Sequence, residues 1–350
     1  MGDRDPFRLL DLEHLKTYVK AIKKNINPRK GVFYLHGGET FLASISYLRE
    51  ACEIIRSEFK FPDFLIVPQT NLLCKITDET LKFLLDYCHN QVGVSWDADI
   101  RFATTTQEET FFKNLRFLID NHRSAYISIT QQVHLLKRDP IELARKFDGA
   151  NAIDFELLSP FSPEVKKLKV NNEEWSNWYL KLVEYYLANN TGWSLPTVDL
   201  FVKSIMDGEV HDCKCRCCDR RTLTLNTNGT VGLCPDTAYF DPVTDVSRLN
   251  DEHWDTFTKL SQSQILRRFD TTEPSCYTCD HFDVCGGHCE KELFDESDEC
   301  PMSKKVIQFV KDHVDEFEHL FETRAKFNHA ELERERLCNP NTPNKVPLKK

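Results

Sequence analysis

The sequence predicts an α/β protein in which a parallel sheet is followed by a small cysteine-rich α+β unit. Up to about residue 160, short apolar segments alternate with amphipathic ones, as strands and helices do in a parallel sheet. Ten of the 14 cysteines fall within residues 213–300. With 350 residues, of which 41% are hydrophobic and 29% charged, the chain is long enough for roughly two folded domains.

The first half of the chain contains five predicted strands, each preceded by a predicted helix. The first helix has Asp11 as its N-cap and an apolar face that includes Leu15 and Val19. The fifth helix begins at Asp139-Pro140, a cap followed by proline at the first helical position. Alternation of this kind predicts right-handed crossovers between parallel strands. The strands are predicted at Val32–Leu35, Phe64–Val67, Val92–Trp96, Tyr126–Ile129 and Ile153–Leu157.

Polar residues follow three of these predicted strands. Glu39 comes after the first strand, Asn71 after the second and Asp97 after the third. In a parallel barrel the carboxyl ends of the strands carry the active site. We therefore expect these three side chains to lie in one common active site.

The second half of the chain is organised differently. Residues 165–212 are predicted to be helical, as a bridge between two domains. Thr222–Leu233 is predicted to form a hairpin whose turn is Asn228-Gly229. Residues 303–325 have the periodicity of a last amphipathic helix, and residues 326–350 are predicted to be a flexible tail.

Composition and charge exclude several classes of protein. The N-terminus lacks the apolar core of a signal peptide, and no apolar run is long enough to cross a bilayer. The sequence therefore predicts a cytoplasmic protein with no membrane partner. A net charge of −10 argues against a nucleic-acid partner.

The cysteine spacing predicts metal or iron–sulfur chemistry. Residues 276–289 read CxxC-x5-C-x3-C, and Cys300 follows. Upstream, Cys218 is followed by Gly229 and Cys234. Thiolates held close together need compensating positive charge, which soft metal ions and iron–sulfur clusters supply. Structural disulfides are the alternative, but they are rare in the reducing cytoplasm. A zinc-binding protein that shares only this cysteine spacing is a second alternative.

Taken together, these motifs resemble those of radical S-adenosylmethionine (radical SAM) enzymes that carry a SPASM domain. The resemblance spans residues 30–302. His36–Thr40 resembles the family's GGE motif, Gln69–Asn71 its Thr-Asn turn and Val94–Asp97 its Ser-x-Asp strand end. The cysteine series from Cys218 to Cys300 fits every interval of the SPASM pattern. The resemblance implies contacts to S-adenosylmethionine from Gly37, Gly38, Glu39, Asn71, Ser95 and Asp97.

The resemblance also implies two auxiliary 4Fe-4S clusters. One would be held by Cys276, Cys279, Cys285 and Cys300. The other would use Cys234, Cys289 and two cysteines from Cys213, Cys215, Cys217 and Cys218. The preferred pair is Cys213 with Cys218, because the adjacent Cys217 and Cys218 would struggle to reach one cluster together. Cys52, Cys74, Cys88 and Cys338 are expected to be idle thiols.

The chain departs from the family at one point. The family's catalytic cluster is held by Cys-x3-Cys-x2-Cys after the first barrel strand, and here no cysteine precedes Cys52. We therefore expect a partial (β/α)6 radical-SAM-type barrel that lacks its first strand and exposes the edge of Val32–Leu35. S-adenosylmethionine would bind only weakly without the third cluster.

Two functional interpretations share this fold, and the zinc protein stands as a third. In one, the chain binds both clusters but performs no radical chemistry alone, and acts as partner or scaffold in peptide or protein modification, for instance of an active paralogue. In the other, it is part of an active peptide-modifying maturase whose cluster-binding segment is missing, with Asp236 as a candidate general base. The expected boundaries are 1–164 for the barrel, 165–212 for the bridge, 213–302 for the SPASM domain, 303–325 for the last helix and 326–350 for the tail.

Overall fold

The computed structural model describes most of the chain between residues 9 and 324. The described ranges are 9–97, 99–102, 104–158, 163–189, 191–211, 222–269, 273–287, 289, 295 and 297–324.

A parallel five-stranded sheet forms the first half of the molecule, as predicted. Its strands follow one another in sequence order from β1 to β5, and every neighbouring pair is parallel. Because each strand returns through a helix, the side chains of one sheet face are buried under those helices. The strands are β1 (Gly31–Leu35), β2 (Phe64–Thr70), β3 (Gln91–Trp96), β4 (Ser124–Thr130) and β5 (Ala152–Glu156).

The five helices that alternate with these strands begin where local sequence signals place them. Asp11 caps α1 by accepting a hydrogen bond from the Glu13 N–H (2.8 Å). Asp139 caps α5, with Pro140 at its first position, as predicted. The helices are α1 (Leu12–Asn25), α2 (Ile45–Glu58), α3 (Asp78–Cys88), α4 (Thr105–Asp120) and α5 (Pro140–Lys146).

Strand β1 lies at one end of the sheet and pairs with β2. Its residues Val32 and Tyr34 are 44% and 66% exposed, whereas the alternate residues pack more closely. Helix α1 crosses from this sheet to the second half of the chain. There the Tyr18 hydroxyl donates a hydrogen bond to the Leu223 carbonyl (2.9 Å).

The second half is built from helices around a small antiparallel sheet. The predicted hairpin is present: β6 (Thr224–Leu225) pairs with β7 (Thr230–Gly232), and Gly229 in the turn has φ +87°. A positive φ of this kind is accessible to glycine without strain. Strand β8 (Thr244–Asp245) pairs with β7. The helices include α6 (Pro163–Lys166), α7 (Asn172–Ala188), α8 (Pro196–Asp207), α9 (Trp254–Phe269), α10 (Phe282–Cys285) and α11 (Lys304–Asp312), and residues 314–324 are helical as well.

Helix α9 lies in the cysteine-rich region and was not predicted from the sequence. It runs for 16 residues. Its apolar residues do not form one buried face, since Phe257 is buried while Leu260 and Leu266 are 47% and 64% exposed. Weak amphipathic periodicity explains why the sequence pattern did not predict this helix. None of the described helices is long and apolar enough to cross a membrane.

Candidate functional site

A cavity of about 3090 Å³ separates the inner face of the sheet from the second half of the chain. All five strands line it, and along β3 the lining residues alternate: Gln91, Gly93 and Ser95, followed by Asp97 beyond the strand end. The opposite wall includes the hairpin, Asp236 and helix α9. Two of the three predicted strand-end residues, Glu39 and Asp97, therefore share this cavity with Asp236, whereas Asn71 does not line it.

The carboxylate of Glu39 joins the ends of β1 and β2. Glu39 Oε1 accepts hydrogen bonds from the Thr70 hydroxyl (2.7 Å) and the Phe41 N–H (3.1 Å). Glu39 Oε2 accepts from the Asn71 N–H (2.8 Å). The structure thus brings together two of the predicted site residues, Glu39 and Asn71. The preceding Gly37 and Gly38 face open space, because a Cβ on either would meet no atom within 4 Å.

Ser95 lies on the cavity floor and is hydrogen-bonded to Gln69. The Gln69 amide Nε2 donates to Ser95 Oγ at 2.8 Å. Gly93 pairs with Gln69 in the sheet, and the absence of a side chain there leaves room for the Gln69 amide. Sequence reasoning included Gln69 in a turn motif but did not assign it this role.

Asp97 is 4% exposed and is held from two sides. Its Oδ1 accepts from the Thr130 N–H of β4 (2.8 Å), and its Oδ2 accepts from Nε of Arg101. Arg101 also lines the cavity and was not identified from the sequence. The spacing of four between Asp97 and Arg101 was the available signal, but it has no meaning outside a helix.

His36 and Asp236 lie close enough for their charges to interact. The His36 ring faces the cavity, and burial there lowers the pKa of its imidazole below the usual value. The Asp236 carboxylate opposes that shift, while Arg101 adds to it. The structure therefore places the candidate base Asp236 at the cavity, across from the strand ends.

Four of the predicted cluster ligands surround one small cavity in the second half of the chain. Cys276, Cys279, Cys285 and Cys300 line it together with Lys304. Gly286 and Gly287 follow the third cysteine with φ +66° and +95°, a turn that glycine adopts without strain. Four thiol groups, a nearby cation and a tight turn fit a 4Fe-4S cluster, which cysteine thiolates hold.

Only two of the ligands predicted for the other cluster lie among the described residues. Cys234 is buried and Cys289 is partly exposed, and neither lines the cavity of the first four. Cys213, Cys215, Cys217 and Cys218 lie outside the described residues. Among the residues that the structure describes, no group of three or more His, Cys, Asp or Glu side chains is arranged to hold a single metal ion.

Two of the remaining described cysteines, Cys74 and Cys88, have environments that favour the thiol form. Burial and the nearby Glu39 carboxylate raise the pKa of Cys74 to about 11. Cys52 and Cys88 are 0% and 1% exposed. The hydrogen bond of the Cys88 thiol with Cys52, together with burial, raises the pKa of Cys88. Because the thiolate is the metal ligand, these environments disfavour metal binding.

Comparisons with solved structures identify this fold. The chain superposes on anSMEcpe, an anaerobic sulfatase-maturating radical SAM/SPASM enzyme solved with AdoMet and the Kp18Cys peptide bound. The TM-score is 0.66, with 15% sequence identity over 91% of each chain. SuiB of Streptococcus suis, solved with its precursor peptide SuiA, gives a TM-score of 0.55 at 15% identity, covering 88% of this chain and 71% of SuiB.

Comparison with known protein sequences gives less information about the fold than comparison with solved structures. An uncharacterised protein of Methanothermobacter thermautotrophicus is 26% identical over 210 residues, 58% of this chain and 78% of that protein. No protein-family model matches the chain. The identification therefore comes from the architecture: this chain has the fold of the radical SAM enzymes that carry a SPASM domain, as its motifs predict.

Proposed function

We propose that this chain binds two auxiliary 4Fe-4S clusters and takes part in the modification of peptides or proteins, without radical chemistry of its own. The observation that carries the proposal is the small cavity lined by Cys276, Cys279, Cys285 and Cys300. Cys234 and Cys289, with Cys213 and Cys218, would hold the second cluster. When bound, such clusters supply one-electron transfer.

The large cavity is the proposed site of S-adenosylmethionine and substrate. Glu39, Asn71, Ser95 and Asp97 would contact the cofactor, with the backbone of Gly37 and Gly38. Because Glu39 already accepts three hydrogen bonds, its carboxylate is oriented before any ligand binds. Neighbouring structures contain AdoMet and peptides, which supports a peptide or protein substrate here. Only in an active maturase would Asp236 act as a general base and accept a proton from the substrate.

Anaerobic reconstitution tests the cluster proposal. We expect a brown protein with about eight irons, the content of two four-iron clusters. Cys279→Ala and Cys285→Ala should each lose about half of the iron, because each removes a ligand of one cluster. Cys88→Ala is the matched control and should keep all of it, since Cys88 is buried in α3. A colourless protein with stoichiometric zinc would instead support the zinc alternative.

A second candidate is that this chain forms part of an active maturase. The shared cavity of Glu39, Asp97 and Asp236 favours it, because electron transfer alone does not require a large cavity lined by carboxylates. The reconstituted chain, reduced with dithionite, is expected to form no 5′-deoxyadenosine unless an active partner or a cluster-binding segment is added. Formation by the chain alone, abolished in Glu39→Ala, would contradict the scaffold role.

A further inference from the structure

The segment that carries Cys300 is anchored on the first turns of α7. The Ser176 hydroxyl donates to Glu299 Oε2 at 2.8 Å, and the two residues are 0% and 7% exposed. The Asn172 N–H donates to Asp295 Oδ2 (2.7 Å). On the other side of Cys300, the Lys305 ammonium donates to Asn177 Oδ1 (2.9 Å). These contacts join parts of the chain more than 120 residues apart.

The other three cysteines of the small cavity are held by local structure. The Cys279 N–H donates to the Cys276 carbonyl (3.2 Å), and the Cys285 N–H donates to the His281 carbonyl (3.1 Å). The Cys300 carbonyl likewise accepts a local hydrogen bond, from the Ser303 N–H (2.9 Å). Cys300 differs in that the residue directly before it, Glu299, is anchored on α7, and the Ser176–Glu299 hydrogen bond is the most buried of these long-range contacts.

We propose that Ser176 and Glu299 are positioning residues for Cys300, and that the Glu299 carboxylate lowers the reduction potential of the cluster that Cys300 helps to hold. The second part rests on the proposed function. Reduction adds an electron to the cluster, and a buried carboxylate beside one ligand makes that addition less favourable. Lys304, which lines the same cavity, acts in the opposite direction.

The positioning role is tested in iron-free protein, so it does not depend on cluster binding. Ser176→Ala should increase the alkylation rate of Cys300 by iodoacetamide several-fold, measured by peptide mapping, and leave the rate of Cys276 unchanged. Ser204→Ala is the matched control: Ser204 is 1% exposed and donates to the Leu200 carbonyl (2.8 Å) of its own helix α8 rather than to Glu299. Equal Cys300 rates in Ser176→Ala and the wild type would overturn the positioning role.

The electrostatic role is tested with Glu299→Gln in the reconstituted protein. Glutamine retains an oxygen that accepts from Ser176, so we expect full iron content. The midpoint potential should move to more positive values for the cluster whose EPR signal disappears in Cys279→Ala. An unchanged potential with full iron would overturn this role. Failure of the wild type to take up iron would refute the proposed function, and the alkylation result would still decide on Ser176.

Discussion

The side-chain amide of Gln69 occupies the space that a side chain at residue 93 would fill. A Cβ built on Gly93 would lie 1.9 Å from Gln69 Oε1 and 2.9 Å from Cδ. The two residues are paired between β2 and β3, and the Gln69 amide continues to Ser95. Glycine at position 93 therefore determines where Gln69 donates its hydrogen bond on the cavity floor.

Gly93→Ala is expected to displace Gln69 from Ser95. The Gln69 amide is the flexible end of its side chain and can rotate into the cavity, so the cost should be about 1 kcal/mol, the net value of a hydrogen bond. Urea unfolding would measure it. Combining Gly93→Ala with Gln69→Ala should cost less than the sum of the single changes, because both remove the same interaction. Gly192→Ala is the control, since a Cβ there would meet nothing within 4 Å. If the costs of Gly93→Ala and Gln69→Ala were additive in the double variant, the prediction would be wrong.

Glu39→Ala is expected to destabilise the fold by about 1–3 kcal/mol, because it leaves the Thr70 hydroxyl and the Asn71 N–H without their acceptor. Thr70 is 2% exposed, so water cannot readily replace the carboxylate. Glu156→Ala is the matched control: this carboxylate lines the same cavity but makes no hydrogen bond or ion pair with the described residues. Equal free energies of unfolding for the two variants would show that Glu39 does not join β1 to β2.

The contribution of Asp199 to the stability of the protein should increase as the pH falls from 7 to 4. Burial raises the pKa of Asp199 to about 6, although the Tyr186 hydroxyl and Arg324 favour its charged form; Asp154 adds to the rise. The folded state therefore binds this proton more tightly than the unfolded state. The contribution of Asp199 to the free energy of unfolding is complete below about pH 4 and is lost as the pH rises through 6. It amounts to about 3 kcal/mol, because the pKa differs by about two units between the folded and unfolded states.

Asp199→Asn serves as the comparison for this pH dependence. The amide oxygen of asparagine can still accept from the Tyr186 hydroxyl, which in the native protein is 2.6 Å from Asp199 Oδ1. The variant should be more stable than the wild type at pH 7 and show a smaller slope between pH 4 and 7. Free energies from urea unfolding at several pH values would measure it, and identical slopes would refute the assignment to Asp199.

Tyr18→Phe should weaken the attachment of α1 to the second half of the chain. The change leaves the Leu223 carbonyl without its donor at a partly buried position, which costs about 1 kcal/mol. Hydrogen exchange of residues 222–225 should become faster. Tyr126→Phe is the control, because Tyr126 is 40% exposed and its hydroxyl makes no hydrogen bond with the described residues. Unchanged exchange in Tyr18→Phe would mean that other contacts of α1 hold the hairpin.

Most of the sheet could be predicted from local patterns, and its inaccuracies have a physical cause. The apolar run Phe64–Val67 predicted β2, but the strand continues to Thr70. Pro68, Gln69 and Thr70 interrupt the apolar pattern, and the last two are extended because they pair with Gly93 and Val94 of β3. Helix α9 was missed because its apolar residues are not confined to one face.

The sequence by itself determined the order of helices and strands, the polar residues at the strand ends and the spacing of the cysteines. Each of these depends on residues close together in the chain, where periodicity and turn chemistry act. Only the tertiary structure decided that Glu39 binds the Asn71 N–H, that Asp236 faces the strand ends, and that Ser176 holds Glu299. The two hydrogen bonds join residues 32 and 123 positions apart, and burial in the folded chain brings such segments together.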